Sequence, residues 1–113
     1  MNEADRIEVV QGSDNIFADL DLPKADEMLL KANLAAELRR LIAERALTQA
    51  RAAALLGMAQ PDLSKLLRGS LRGYSVERLM GFLTAFDQDV EVTVRPHSGP
   101  GRGGRITFTP VDA

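Results

Sequence analysis

Gly57 and Gly69 stand twelve positions apart, and Thr48 precedes the first of them by nine. No other feature leaves this chain less freedom. A threonine hydroxyl can accept the backbone N–H groups that the first turn of a helix leaves unpaired. A glycine can take the left-handed conformation that follows a helix end. The spacing therefore predicts one short helix from about Gln49 to Leu56 and a second from about Gln60 to Leu67, with Pro61 tolerated in its first turn. Arg51 occupies the position where a reciprocal capping box would carry Glu or Gln, so the Thr48 cap is incomplete.

The flanks read as longer helices. From Pro23, residues Leu30, Leu34, Leu38, Leu41, Ile42 and Arg45 recur at three- and four-residue spacing, and the helix is expected to reach about Ala46. Pro23 suits its first turn, and Asp26 and Glu27 suit its positive end. Ser75 can cap a fourth helix with an apolar face of Val76, Leu79, Met80, Leu83 and Phe86. After Asp87 the period changes: Val90, Val92 and Val94 alternate with Glu91, Thr93 and Arg95, as in a half-buried strand. A second alternating piece, Arg105 to Thr109, follows a glycine-rich stretch, and the two can form a hairpin within one chain or with another. The expected fold is mainly α, a helix-turn-helix bundle of four to five helices with a short C-terminal strand or hairpin. Three parts follow: an acidic arm over residues 1–22, a helical domain over 23–88 and a strand segment over 89–113.

Within the central pair, counting from Gln49, Ala53 falls fifth and Gly57 ninth, followed by Met58, Leu63 and Leu66. The small residue lets two helices cross closely, the glycine makes the turn, and the apolar residues clamp the second helix to a core. This register, with Leu47-Thr48-Gln49-Ala50 before it, resembles the helix-turn-helix of the lambda-repressor, or XRE, family from about Leu34 to Phe86. The resemblance implies binding to duplex DNA. Gln49 takes the place of a residue that holds a phosphate or braces a base-reading glutamine, and Gln60 takes the place of that glutamine, which can bond adenine at two points. Ser64 and Lys65 can reach base edges or phosphates, Arg68 the backbone, and Ala59 a thymine methyl. Asp62 can accept from a cytosine amine, although favouring the positive end of its own helix is the stronger reading. Ala59 and Pro61 depart from the family pattern, the first in place of a polar cap, the second in place of a side-chain reader.

The whole layout also resembles HigA-type antitoxins: an acidic leader containing Asn15-Ile16-Phe17-Ala18-Asp19-Leu20, a long first helix, the phrase Leu66-Leu67-Arg68-Gly69 and a strand over Val90 to Val94. That family implies a RelE-like, HigB-type mRNA-cleaving toxin as partner and repression of the protein's own operon. Ile16, Phe17, Asp19 and Leu20 are the expected toxin contacts.

The formal net charge of −2 hides a strong asymmetry. Residues 1–36 carry eight acids against three bases, a net −5, whereas residues 37–78 carry eight bases against four acids, a net +4. Phosphate attracts the second region and repels the first, which suggests two different partners. There is no cysteine, and His97 stands alone, so neither a disulfide frame nor a His/Cys metal set is available. Gly99-Pro100-Gly101-Arg102-Gly103-Gly104 satisfies the glycine pattern of dinucleotide-binding turns, but another strand-like piece follows instead of the helix that pattern requires. Met28, Met58 and Met80 suit core faces. No nucleophile with a base nearby appears, no cofactor is implied, and an enzyme is not expected. The start carries no secretory signal and no stretch approaches the about 18 apolar residues of a membrane span, so a cytoplasmic protein is expected. The short alternating strand would leave an unpaired edge, so a dimer paired through it is expected. The competing readings are a solitary XRE-type regulator and, from another class, a protein-interaction module on a degenerate helix-turn-helix.

Overall fold

The structure, a computed structural model, describes residues 24–101 and 103–111. Within them the chain runs through α1 (Lys24–Glu44), α2 (Gln49–Leu56), α3 (Gln60–Leu67) and α4 (Val76–Ala85). The punctuation acts as expected. Thr48 Oγ1 accepts from the Arg51 N–H at 3.1 Å, and Ser75 Oγ accepts from the Arg78 N–H at 3.0 Å. Gly57 adopts φ 70°, ψ 33°, which turns the chain so that the Met58 N–H reaches the Ala53 carbonyl at 3.0 Å.

The core forms where the four apolar faces meet. Leu34, Leu38, Leu41 and Ile42 of α1 pack with Ala52 and Ala53 of α2 and with Leu63, Leu66 and Leu67 of α3. Val76, Leu79, Phe82 and Leu83 of α4, with Leu71 and Phe86 outside the helices, complete it. Ala52 and Ala53 are almost fully covered, because only a methyl group lets α2 approach its neighbours so closely. α1 lies along α4, and α2 packs on α3. Phe82 was not part of the expected α4 face; the face is wide enough to bury it beside Leu79 and Leu83.

α1 ends two residues earlier than its periodicity suggests. Ala46 takes φ +54°, a conformation that costs a side chain about 1–2 kcal/mol, and the Leu47 N–H folds back to the Ile42 carbonyl at 3.1 Å. Half-buried Leu47, packed on the core, holds that turn and launches α2. Arg45 sits at the rim of the stripe: Nη2 donates to the Phe86 carbonyl and pairs with Asp87 at 3.2 Å, and its guanidinium lies 5.1 Å from the Phe86 ring centre. It ties the ends of α1 and α4 together.

Two expectations are corrected among the described residues, whose four helices lie within the four to five expected. No strand forms over Val90 to Val94 or Arg105 to Thr109. A ladder needs a second edge, and a lone two-stranded hairpin is marginal in water. Here the returning segment spends its aromatic residue elsewhere: Phe108 packs against the core, and Ile106, Thr107 and Phe108 line a cleft with Asp26, Leu29, Leu30 and Asn33 of α1. The apolar side of the expected strand is left uncovered, Val92 at 79% exposure and Val94 at 90%. Finally, Met28 is 47% exposed instead of lying in the core, whereas Met58 and Met80 are half-buried against it. Pro23 lies outside the described residues.

Candidate nucleic-acid interface

α3 has one buried and one open side. Leu63 and Leu66 are wholly buried and Leu67 nearly so, which anchors the helix through a single stripe. Gln60, Asp62, Lys65 and Arg68 are exposed on the rest of its surface, and Ser64 is half-exposed. An eight-residue helix held this way presents every residue outside the stripe to a neighbour.

Gln49 begins α2 and Gln60 begins α3, so the two helix starts meet across the turn made at Gly57. Gln60 Nε2 donates to Gln49 Oε1 at 3.1 Å. Both side chains are exposed, and the bond fixes the Gln60 amide while leaving its carbonyl oxygen and second amide hydrogen available. At the other end of α3, Arg68 Nη1 donates to Ser64 Oγ at 2.6 Å, so those two side chains form one polar unit. Ala59 is an exposed N-cap with extended backbone (φ −72°, ψ 143°) and no side-chain capping bond. Pro61 removes one of the N–H groups that would otherwise lack a partner there. Asp62 lies in the first turn, beside the positive end of the helix dipole.

The central surplus of cations divides into two groups. Arg40 is bound to Glu37 at 2.6 Å and to Glu44 at 3.4 Å, Arg45 is held at the end of α4, and Arg78 lies 5.0 Å and 5.6 Å from the ring centres of Tyr74 and Phe82. Hydrogen bonding by Arg40, reinforced by its charge, lowers the Glu37 pKa despite some opposing desolvation. Arg51, Lys65, Arg68 and Arg72 are exposed and form no ion pair among the described residues. Sequence reasoning singled out Lys65 and Arg68 through the family resemblance and counted the other six bases alike; nothing in it showed that Arg45 would meet Phe86 and Asp87 on another element. It also missed Arg39, whose Nη2 donates to the Leu67 carbonyl at 3.0 Å across 28 positions of chain.

The expected toxin contacts Ile16, Phe17, Asp19 and Leu20 lie outside the described residues, as does Arg102. No grouping of three or more His, Cys, Asp or Glu that could hold a metal occurs among the described residues. None of the described helices is long and apolar enough to cross a membrane.

A small residue, a left-handed glycine and a solvent-facing second helix, packed in this order, define a helix-turn-helix. The family model for the helix-turn-helix domain matches residues 16–95. A solved structure described as an XRE family transcriptional regulator is 43% identical, with a TM-score of 0.74, over 79% of this chain and 100% of that one. No curated protein matches significantly. The chain belongs to the helix-turn-helix family of XRE-type transcriptional regulators.

Proposed function

We propose that this regulator represses its own operon as a dimer and is the antitoxin of a RelE-like, HigB-type toxin, reading DNA through α3 and capturing the toxin through its acidic leader. The Gln60–Gln49 bond carries the DNA half of this reading, because it holds an exposed glutamine amide at the head of a helix with one open side. A braced amide reads adenine at lower entropic cost than a freely rotating one. In this reading Ser64, Lys65 and Arg68 follow along the groove, Ala59 meets an apolar base edge, and Asp62 serves its own helix.

The leader half rests on chemistry. A segment with a net charge of −5 over residues 1–36 is repelled by phosphate and attracted to a basic RNA-cleaving protein. Ile16, Phe17 and Leu20 supply the apolar anchors that charge alone lacks, with Asp19 between them. Dimerisation draws support from the uncovered Val90, Val92 and Val94, whose alternation suits pairing with a second copy.

The test has two arms. Duplexes enriched from a randomised library by the full chain are titrated against scrambled duplexes, and a sequence preference that persists at physiological salt is expected. A RelE-like, HigB-type toxin is then offered to the full chain and to a chain beginning at Leu22. Capture and neutralisation by the full chain alone support the antitoxin role. Neutralisation by the shortened chain removes the leader from it, and DNA preference without any capture leaves a solitary regulator.

A further inference from the structure

The C-terminal end of α3 is satisfied from two directions. The last four carbonyls of an α-helix have no partner inside it, and in α3 these belong to Ser64, Lys65, Leu66 and Leu67. The chain just beyond supplies three. The Arg68 N–H reaches Ser64 and Lys65 at 3.2 and 3.1 Å, Gly69 reaches Leu66 at 3.0 Å, and Ser70 reaches Lys65 at 3.0 Å. The Leu67 carbonyl is met from α1, by Arg39 Nη2 at 3.0 Å.

We propose that Arg39 is a positioning residue for sequence readout, fixing the angle at which α3 is presented without touching DNA itself. The inference rests on α3 being the reading helix. At eight residues α3 is only about 12 Å long, so a small tilt at its C-terminal end moves Ser64, Lys65 and Arg68 against the bases. The N-terminal end is linked to α2 by the Gln49–Gln60 bond. Leu63, Leu66 and Leu67 anchor the middle and the C-terminal end through one stripe, but apolar packing is non-directional and resists rotation about that stripe weakly. The partly buried Arg39 bond adds a directional link to α1, the longest helix of the core. It is charge-assisted, and its cation sits at the negative end of the α3 dipole, so both effects hold the same geometry.

Arg39→Met removes the donor and keeps much of the apolar stem. On enriched and scrambled duplexes, the expected result is an about tenfold fall in the preference for the enriched sequence, with the salt slope on scrambled DNA unchanged. An equal loss on both duplexes with a slope shallower by about one would identify a phosphate contact and overturn the proposal, as would an unchanged preference. A second measurement needs no variant and no DNA. Nitrogen-15 NMR of the wild-type protein should show the Arg39 guanidinium with slowed terminal rotation and protected Nη hydrogens, and rapid averaging there sinks the link itself. Should the wild-type protein prefer no duplex, the proposed function fails while the guanidinium signal still decides whether Arg39 holds α3.

Discussion

At the scale of single residues, the proposed DNA interface divides into side chains expected to read sequence and side chains expected only to hold charge. If Gln60 makes the proposed bidentate base contact, Gln60→Ala is expected to cost about 1–3 kcal/mol on an enriched duplex and little on scrambled DNA. Arg68→Ala should instead weaken both and flatten the salt slope by about one unit. Anisotropy titrations at several salt concentrations distinguish the two, and equal losses for both variants on both duplexes would refute this division of roles. Glu37 behaves differently, since its partner is on its own helix. Arg40 Nε and Nη2 donate to its carboxylate at 3.1 and 2.6 Å and lower its pKa. A carboxyl whose pKa is lower in the folded chain contributes stability that is complete above the unfolded value and fades as pH falls through the folded one. Arg40 is 44% exposed, so the contribution is a few tenths of a kcal/mol. Urea midpoints of wild type and Glu37→Gln should differ at pH 7 and draw together as pH falls below the ordinary glutamate range and through the lowered folded-state value; a gap that widens in acid contradicts the assignment.

Elements are set here by what stops them. A Cβ added at Gly57 would meet nothing within 4 Å, so any penalty for a side chain there comes from φ +70° and not from a clash. Gly57→Ala is therefore expected to destabilise the fold by about 1–2 kcal/mol, and Asn, which tolerates the left-handed region, by less. Chemical denaturation of the two variants checks the order. The turn at Ala46 shows the same conformation adopted without glycine: its cost is met by packing of Leu47 and by the backbone bond to Ile42. α1 and α4 are joined at their C-terminal ends by Arg45, which reads as the last member of an apolar stripe and serves as a polar latch.

For the whole molecule, the decisive surface is the one the described chain does not cover. Val92 and Val94 are almost fully exposed, and Ile106 and Leu29 are 46% and 60% exposed. If two copies pair through Val90 to Val94, light scattering at micromolar concentration should report twice the 12.3 kDa chain mass. Val92→Asp combined with Val94→Asp should give a folded monomer whose melting temperature falls only by the stability that pairing adds, since neither side chain is buried in the single chain. A wild-type monomer under those conditions would exclude the pairing. A dimer of this kind would set its two α3 helices on half-sites about 34–36 Å apart.

The sequence by itself determined α2 and α3 to the residue, because Thr48, Gly57 and Gly69 act locally: a cap and a left-handed turn depend on one side chain and its own backbone. It also determined most of the core, since helical spacing puts Leu34, Leu38, Leu41 and Ile42 on one stripe whatever they pack against. It brought Gln49 and Gln60 into consideration together, but only the packed helices place their amides 3.1 Å apart. The fate of Val90 to Val94 was not legible, because alternation names a face and not the edge that will pair with it. The Arg39 contact was not legible either, since a bond across 28 positions exists only once α1 and α3 have docked. The tertiary structure alone decided that Arg39 and Arg45 are bound within the protein, because the Leu67 and Phe86 carbonyls and Asp87 reach them only when helices dock, whereas the acids that hold Arg40 stand on its own helix.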